Sequence, residues 1–229
     1  MYDETIAQKI INYIQENKVS TTEIGDCLGK TGAIFGLLPL NRGHFSVGKI
    51  HYVYAHSNTN WPIHEQIIDI PEDRILFVDQ INVQERALFG ELVATYIIQK
   101  LKARAIISKG LLRDARELIQ RDFPIWCTGI TPEGCFNVKR EETPDVKMIV
   151  KRNKEYYQDA IAVCDDCGVV IIPKEQINEE MLEKIIAMEE QERIWFHCVL
   201  DLGWNTFDTV CAKKYLNDES IIQRKKDKK

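Results

Sequence analysis

The chain has 229 residues, 45% of them apolar, and a formal net charge of −5 from 30 basic and 35 acidic side chains. That balance gives no electrostatic reason to expect nucleic-acid binding, which usually shows as a basic domain. The length suits one substantial domain with a terminal extension. No stretch approaches the ~20 consecutive apolar residues of a membrane span.

Seven cysteines without regular spacing read as thiols rather than as a disulfide framework. The acidic start, Met1-Tyr2-Asp3-Glu4-Thr5, lacks the apolar stretch of a secretory leader, so a cytoplasmic location is expected.

In chain order, Ile6, Ile10, Ile11 and Ile14 lie at helical spacing and predict a helix over 4–17. Ser20 and Glu23 form a capping-box signature for a short second helix ending near Gly29 or Gly32. Residues 47–55 are rich in β-formers and predict a strand. A helix over 61–68 has Pro62 in its first turn, and Ile75 to Asp79 reads as a buried strand. Residues 85–103 read as one long helix with Ala87, Leu88, Leu92, Tyr96, Ile97 and Leu101 on its apolar stripe.

A strand at 105–108 and a helix over 114–121 follow, then strands at 123–127, 146–150, 160–163 and 169–172, the last ended by Pro173. This alternation predicts an α/β domain with some parallel pairing. Beyond Pro173 the chain turns into a charged helix over 178–193 and an aromatic stretch with Trp195, Phe196, Trp204 and Phe207. That stretch is expected to pack on the core or on a neighbouring subunit. The residues from Gln223 to Lys229 are mostly charged and expected to fray. The predicted division is 1–173 for the α/β domain and 174–229 for a helical extension.

The segment Ser108-Lys109-Gly110-Leu111-Leu112-Arg113-Asp114 carries the most chemistry. A guanidinium can grip a carboxylate through parallel hydrogen bonds, and an aspartate is a hard oxygen ligand for Mg²⁺ or Mn²⁺. Taken alone, Arg113-Asp114 is also what an ordinary helix start shows, since an acidic residue there offsets the helix dipole. Cys164 and Cys167 have zinc-like spacing but lack a second pair, and read as flanking a turn. The five histidines show no metal-binding spacing. His56 to His64 reads as a surface loop and helix cap that could also grip the far end of a substrate.

Several landmarks in fixed order give the chain a wider resemblance. They are Thr22 to Asp26, Phe89 to Thr95, Gly110 to Asp114, Phe123-Pro124-Ile125, Gly129-Ile130-Thr131-Pro132 and Asp166 to Pro173. From about Ser20 to Pro173 the chain resembles the aldolases of 4-hydroxy-4-methyl-2-oxoglutarate and 4-carboxy-4-hydroxy-2-oxoadipate, a family that includes the regulator of ribonuclease activity A.

The resemblance implies a β/β/α swivelling domain, phosphohistidine-domain-like, assembled as a homotrimer or hexamer with its site at a subunit interface. It implies a divalent-metal-dependent retro-aldol cleavage that yields pyruvate, often with an oxaloacetate decarboxylase activity. Carried over by position, Asp114 would bind the metal. Arg113 would hold the substrate carboxylate and stabilise the enolate, and the backbone N–H groups of Gly90, Glu91, Leu92 and Val93 would cradle the pyruvyl carboxylate. Glu91 would position a water for proton transfer.

The chain departs from that pattern in places. Glu91 stands where the family has aspartate, Lys109 replaces another aspartate, and one extra residue separates Glu91 from Arg113. Pro144 to Met148, with Lys151 and Arg152, replaces a glycine-rich stretch. Two readings follow: a metal-dependent lyase of a small 2-oxo acid, or a non-catalytic regulator that binds a ribonuclease or another partner.

Overall fold

The computed structural model describes residues 4–218 and 221, with side chains from residue 6 onward. The first residues and the charged stretch 223–229 lie outside the described residues. Helix α1 (Glu4–Asn17) forms where the isoleucine spacing predicts it, and Ile6, Ile10, Ile11 and Ile14 are all buried. Helix α2 (Thr21–Cys27) starts with the expected capping box. The Glu23 N–H donates to Ser20 Oγ at 3.2 Å, and the Ser20 N–H donates to Glu23 Oε2 at 2.7 Å.

The chain continues through β1 (Leu38–Pro39), β2 (Ser46–His56), α3 (Trp61–Gln66) and β3 (Ile75–Ile81). The helix expected over 85–103 is not one element. Residues Ala87–Phe89 form strand β4, Gly90 is extended, and α4 (Glu91–Thr95) starts only then, running into a π-helical turn at Tyr96–Lys100. Glu85 has a positive φ, which a helix cannot pass through. Ala87 and Leu88 fit a helical stripe and a short buried strand equally well, and the glycine after them decides for the strand.

Next come β5 (Ala105–Ser108), β6 (Leu111–Leu112), α5 (Ala115–Gln120) and β7 (Ile125–Cys127). The strand expected at 146–150 is instead part of helix α6 (Pro144–Tyr157). Its β-branched residues suggested a strand, but Thr143 caps the helix by accepting the Val146 N–H, and Pro144 fits the first turn. Strands β8 (Ile161–Asp165) and β9 (Gly168–Ile172) form a hairpin, and α7 (Glu179–Phe196) follows.

Seven strands form one sheet in the order β1-β7-β5-β3-β2-β8-β9. The run β7-β5-β3-β2 is parallel, and β1, β8 and β9 are antiparallel to their neighbours. The sheet nearly closes on itself. Ile171 donates to the Gly32 carbonyl and Ile34 donates to that of Val169, after which Leu38 pairs with Cys127 at the opposite edge.

Consecutive residues feed opposite faces, as the pleat requires. Val53, Leu76, Val78, Ile106 and Ile125 join the core under α3, α4 and α5, while Tyr52, Phe77, Ile107 and Trp126 fill the enclosed side. Burial on both faces explains the unbroken apolar run Ile75 to Val78.

Two carboxylates tie this frame together. Asp165 accepts the Thr21 N–H at 2.8 Å, the Thr21 hydroxyl at 2.7 Å and the Cys167 N–H at 2.8 Å, while its carbonyl accepts the Trp126 indole N–H. Asp79, fully buried on β3, accepts from the Tyr52 hydroxyl at 2.9 Å and from Asn153 of α6 at 2.7 Å, with Lys109 Nζ 3.6 Å away. Burial, then the Asp79 charge, pushes the Tyr52 phenol well above its ordinary range and Tyr157 up to about 12.

Contacts divide the chain into a unit up to Met181 and a unit from Leu182. In the second, Cys198, Tyr215 and Ile221 form a small cluster with Ile194, Trp195 and Trp204, while Phe196 and Phe207 are exposed. Among the described residues no helix is long and apolar enough to cross a membrane.

Candidate functional site

Strands β4 and β6 pair in parallel, Ala87 opposite Leu111 and Phe89 opposite Leu112. This small sheet sets the start of α4 beside the start of α5. The Arg113 N–H donates to the Phe89 carbonyl at 3.0 Å, so Gly90-Glu91 and Arg113-Asp114 meet where both strands end. The residues singled out from the sequence are therefore neighbours in space.

Asp114 caps α5 from the left-handed region, at φ 58° and ψ 42°, a conformation that aspartate tolerates better than most residues. Its side chain does not cap its own helix. It crosses to α4, where Oδ2 accepts the Glu91 N–H at 3.1 Å and lies 3.8 Å from Arg113 Nε. Gly90 makes the approach possible: a Cβ there would lie 2.0 Å from Asp114 Oδ2 and 2.8 Å from Arg113 Cγ.

The same bond uses one of the donors expected to form the carboxylate cradle. The Glu91 N–H is taken by Asp114, and the N–H groups of Leu92 and Val93 remain at the helix start. Leu92 is 83% exposed and its side chain stands at the rim.

Two residues that the sequence did not single out shape the site. Gly134 lies against Arg113, such that a Cβ there would fall 2.8 Å from Arg113 Nη1. Arg121, at the end of α5, donates from Nε to Glu91 Oε1 at 2.6 Å, with Nη2 2.5 Å from the same oxygen. No local motif announces either one. Their roles depend on the turn that follows β7 and on the length of α5.

Lys109 pairs with Asp79. A π-helical turn follows α4 directly.

Among the described residues no group of three or more His, Cys, Asp or Glu side chains converges on a possible metal position. Asp114 Oδ1 accepts no hydrogen bond among the described residues, and the side chain is 41% exposed. One free carboxylate oxygen in an open site fits a hard cation such as Mg²⁺ or Mn²⁺ that keeps most of its water. It does not fit zinc, which takes three or four protein ligands.

Cys164 is buried, which pushes its thiol up, while Cys167 is exposed in the hairpin turn, so the pair faces two different environments. Beyond the site, His56 is buried beside a cavity of about 460 Å³ lined by Tyr54, Trp61, Glu65, Arg140 and Glu142. Desolvation lowers the His56 pKa. The Tyr54 hydroxyl donates to Glu142, and burial raises its pKa.

This arrangement of β4, α4, β6 and α5 lies within residues 21–171, which match the family model described as RraA-like, Aldolase/RraA. The chain belongs to the Aldolase/RraA family.

Among curated relatives, a protein of Halalkalibacterium halodurans provisionally named 4-hydroxy-4-methyl-2-oxoglutarate aldolase is 25% identical over 182 residues, covering 78% of this chain and 84% of that protein. Protein DlpA of Legionella pneumophila is 22% identical over 200 residues. That match takes in 82% of this chain but 31% of DlpA, so the chain spans under a third of that relative.

Among solved structures, Streptomyces coelicolor RraAS2, described as an unusual member of the RNase ES inhibitor RraA protein family, superposes with a TM-score of 0.62 at 18% identity. It covers 83% of this chain and 95% of its own. At that identity the likeness shows the RraA-like fold, a mixed α/β architecture with a nearly closed sheet.

Proposed function

We propose that the chain is a divalent-metal-dependent lyase that cleaves a small 2-oxo acid, by retro-aldol cleavage or decarboxylation, and releases pyruvate. The observation that carries this reading is the meeting of Asp114 and Arg113 with the start of α4 at Gly90. Asp114 would hold Mg²⁺ or Mn²⁺, which when bound offsets negative charge on the keto oxygen and carboxylate of the substrate. Arg113, half exposed, binds the substrate carboxylate and faces the oxygen that gains charge as the carbon–carbon bond breaks. Leu92 and Val93 offer backbone N–H donors to the same anion. Glu91 takes or returns a proton through a water. No Schiff-base lysine is required.

The test is a lactate-dehydrogenase-coupled pyruvate assay on oxaloacetate and 4-hydroxy-2-oxo acids, with and without Mg²⁺ or Mn²⁺. Metal-dependent release that is lost in Asp114→Ala supports the reading. Absence of release, or full activity in that variant, rejects it. The exposed Leu92 and Ile119 beside the site are consistent with a second subunit covering it in a trimer or hexamer.

One observation favours a non-catalytic alternative. The Glu91 carboxylate is already engaged by Arg121, as it would be if the pair only braced two helices. Inhibition of a ribonuclease that is unaffected by EDTA and by Asp114→Asn would favour that alternative.

A further inference from the structure

A closed circuit of contacts runs through the site. Asp114 starts α5, α5 ends at Arg121, Arg121 grips the Glu91 carboxylate, and the Glu91 N–H returns to Asp114 Oδ2. Arg121 Nε donates to one oxygen, Glu91 Oε1, and Nη2 lies 2.5 Å from that same oxygen. The other oxygen, Oε2, accepts no hydrogen bond among the described residues.

A glutamate arm has one more rotor than an aspartate arm, and left alone it would sample several positions. A planar guanidinium holding one oxygen from a fixed helix end removes that freedom and leaves the second oxygen available. Both side chains are partly exposed, so the pair is a weak source of stability by itself. Its geometric effect is the larger one.

We infer that Arg121 is the positioning residue for Glu91, holding its free oxygen toward a water at the site. This rests on the lyase reading above. Arg121 itself touches no substrate and acts through Glu91.

The test is a double-mutant cycle on the full chain with Arg121→Gln, Glu91→Gln and the double variant. It is read by kcat and KM for pyruvate release, by deuterium uptake at pyruvate C3 in D₂O, and by Mn²⁺ affinity. Arg121→Gln is expected to lower kcat and deuterium uptake by about 10- to 100-fold, within the range of a lost proton-transfer group. KM and Mn²⁺ affinity should stay within about threefold, since Arg113 and Asp114 remain. In the Glu91→Gln background the same change should add almost nothing. Arg121→Lys keeps the charge but not the planar fork, so it should recover part of the loss, and it carries the test if Arg121→Gln does not fold.

Equal kcat losses in the presence and absence of Glu91 would overturn the inference while leaving the lyase reading intact, as would unchanged kcat in Arg121→Gln. A wild-type protein that neither releases pyruvate nor exchanges its C3 protons rejects the lyase reading, and the inference with it.

Discussion

A methyl group on Gly90 would sit 2.0 Å from the Oδ2 oxygen of Asp114, so these residues pack carboxylate against bare backbone. Gly90→Ala must therefore turn the Asp114 side chain away or shift the start of α4. Overpacking of this kind costs about 1–3 kcal/mol. Urea denaturation should show that loss, and a Mn²⁺ titration of the same variant should show weakened binding.

Asp114 combines two properties that substitution can separate. Its φ of 58° suits asparagine nearly as well as aspartate, whereas alanine there pays about 1–2 kcal/mol of backbone strain. Asp114→Asn should thus keep the wild-type melting midpoint and lose metal-dependent pyruvate release by about 100-fold or more. Asp114→Ala should lose both.

Gly134 presses on the far end of a flexible side chain, Arg113 Nη1. Gly134→Ala should cost under about 1 kcal/mol in stability because the guanidinium can swing aside. Steady-state kinetics should instead show KM for the 2-oxo acid raised about tenfold, with Mn²⁺ affinity unchanged.

Asp79 is a buried charge with Tyr52, Asn153 and Lys109 gathered around it. Asp79→Ala strands three polar partners and should cost about 3–5 kcal/mol in a chemical melt. Lys109→Gln leaves the buried Asp79 carboxylate without its cation but with its hydrogen-bond donors, and should cost about 1–3 kcal/mol. The reverse order of losses would contradict the network.

His51 and His56 both have pKa values lowered below 6.5, first by desolvation. Arg74 and Lys154 lower His51 further while Asp159 opposes them, and at His56 Glu142 opposes and Arg140 assists. The unfolded chain then binds protons that the folded chain refuses. Their contribution to stability is full above about pH 7 and falls as the pH drops through 6.5 toward the lowered values. Melts in buffers from pH 7.5 to about 5 should show this slope, and His51→Gln/His56→Gln should flatten it.

Much of the frame was readable because its signals are local. The isoleucines of α1, the Ser20–Glu23 box and the apolar run Ile75 to Val78 each specify an element without help from distant residues. The reading failed at 85–103 and at 146–150, where apolar residues fit both periodicities. A single glycine decided the first case and a threonine cap with its proline the second. At the candidate site, Arg113 and Asp114 stood out because adjacent residues of those types suit an anion and a hard cation. Arg121 and Gly134 did not, since each reaches its partner across a separate element, and nothing in the sequence near them reports where that element ends.

Asp165 joins the first turn of α2, the β8–β9 turn and the indole of Trp126 on β7 through one residue. Local opening of the hairpin must break the helix start and the indole bond at the same moment. The amide hydrogens of Thr21, Cys167 and Ile171 should therefore exchange with solvent as one cooperative group, at a rate set by the opening of all three segments together. Asp165 thereby ties the β8–β9 turn to the start of α2 and to β7.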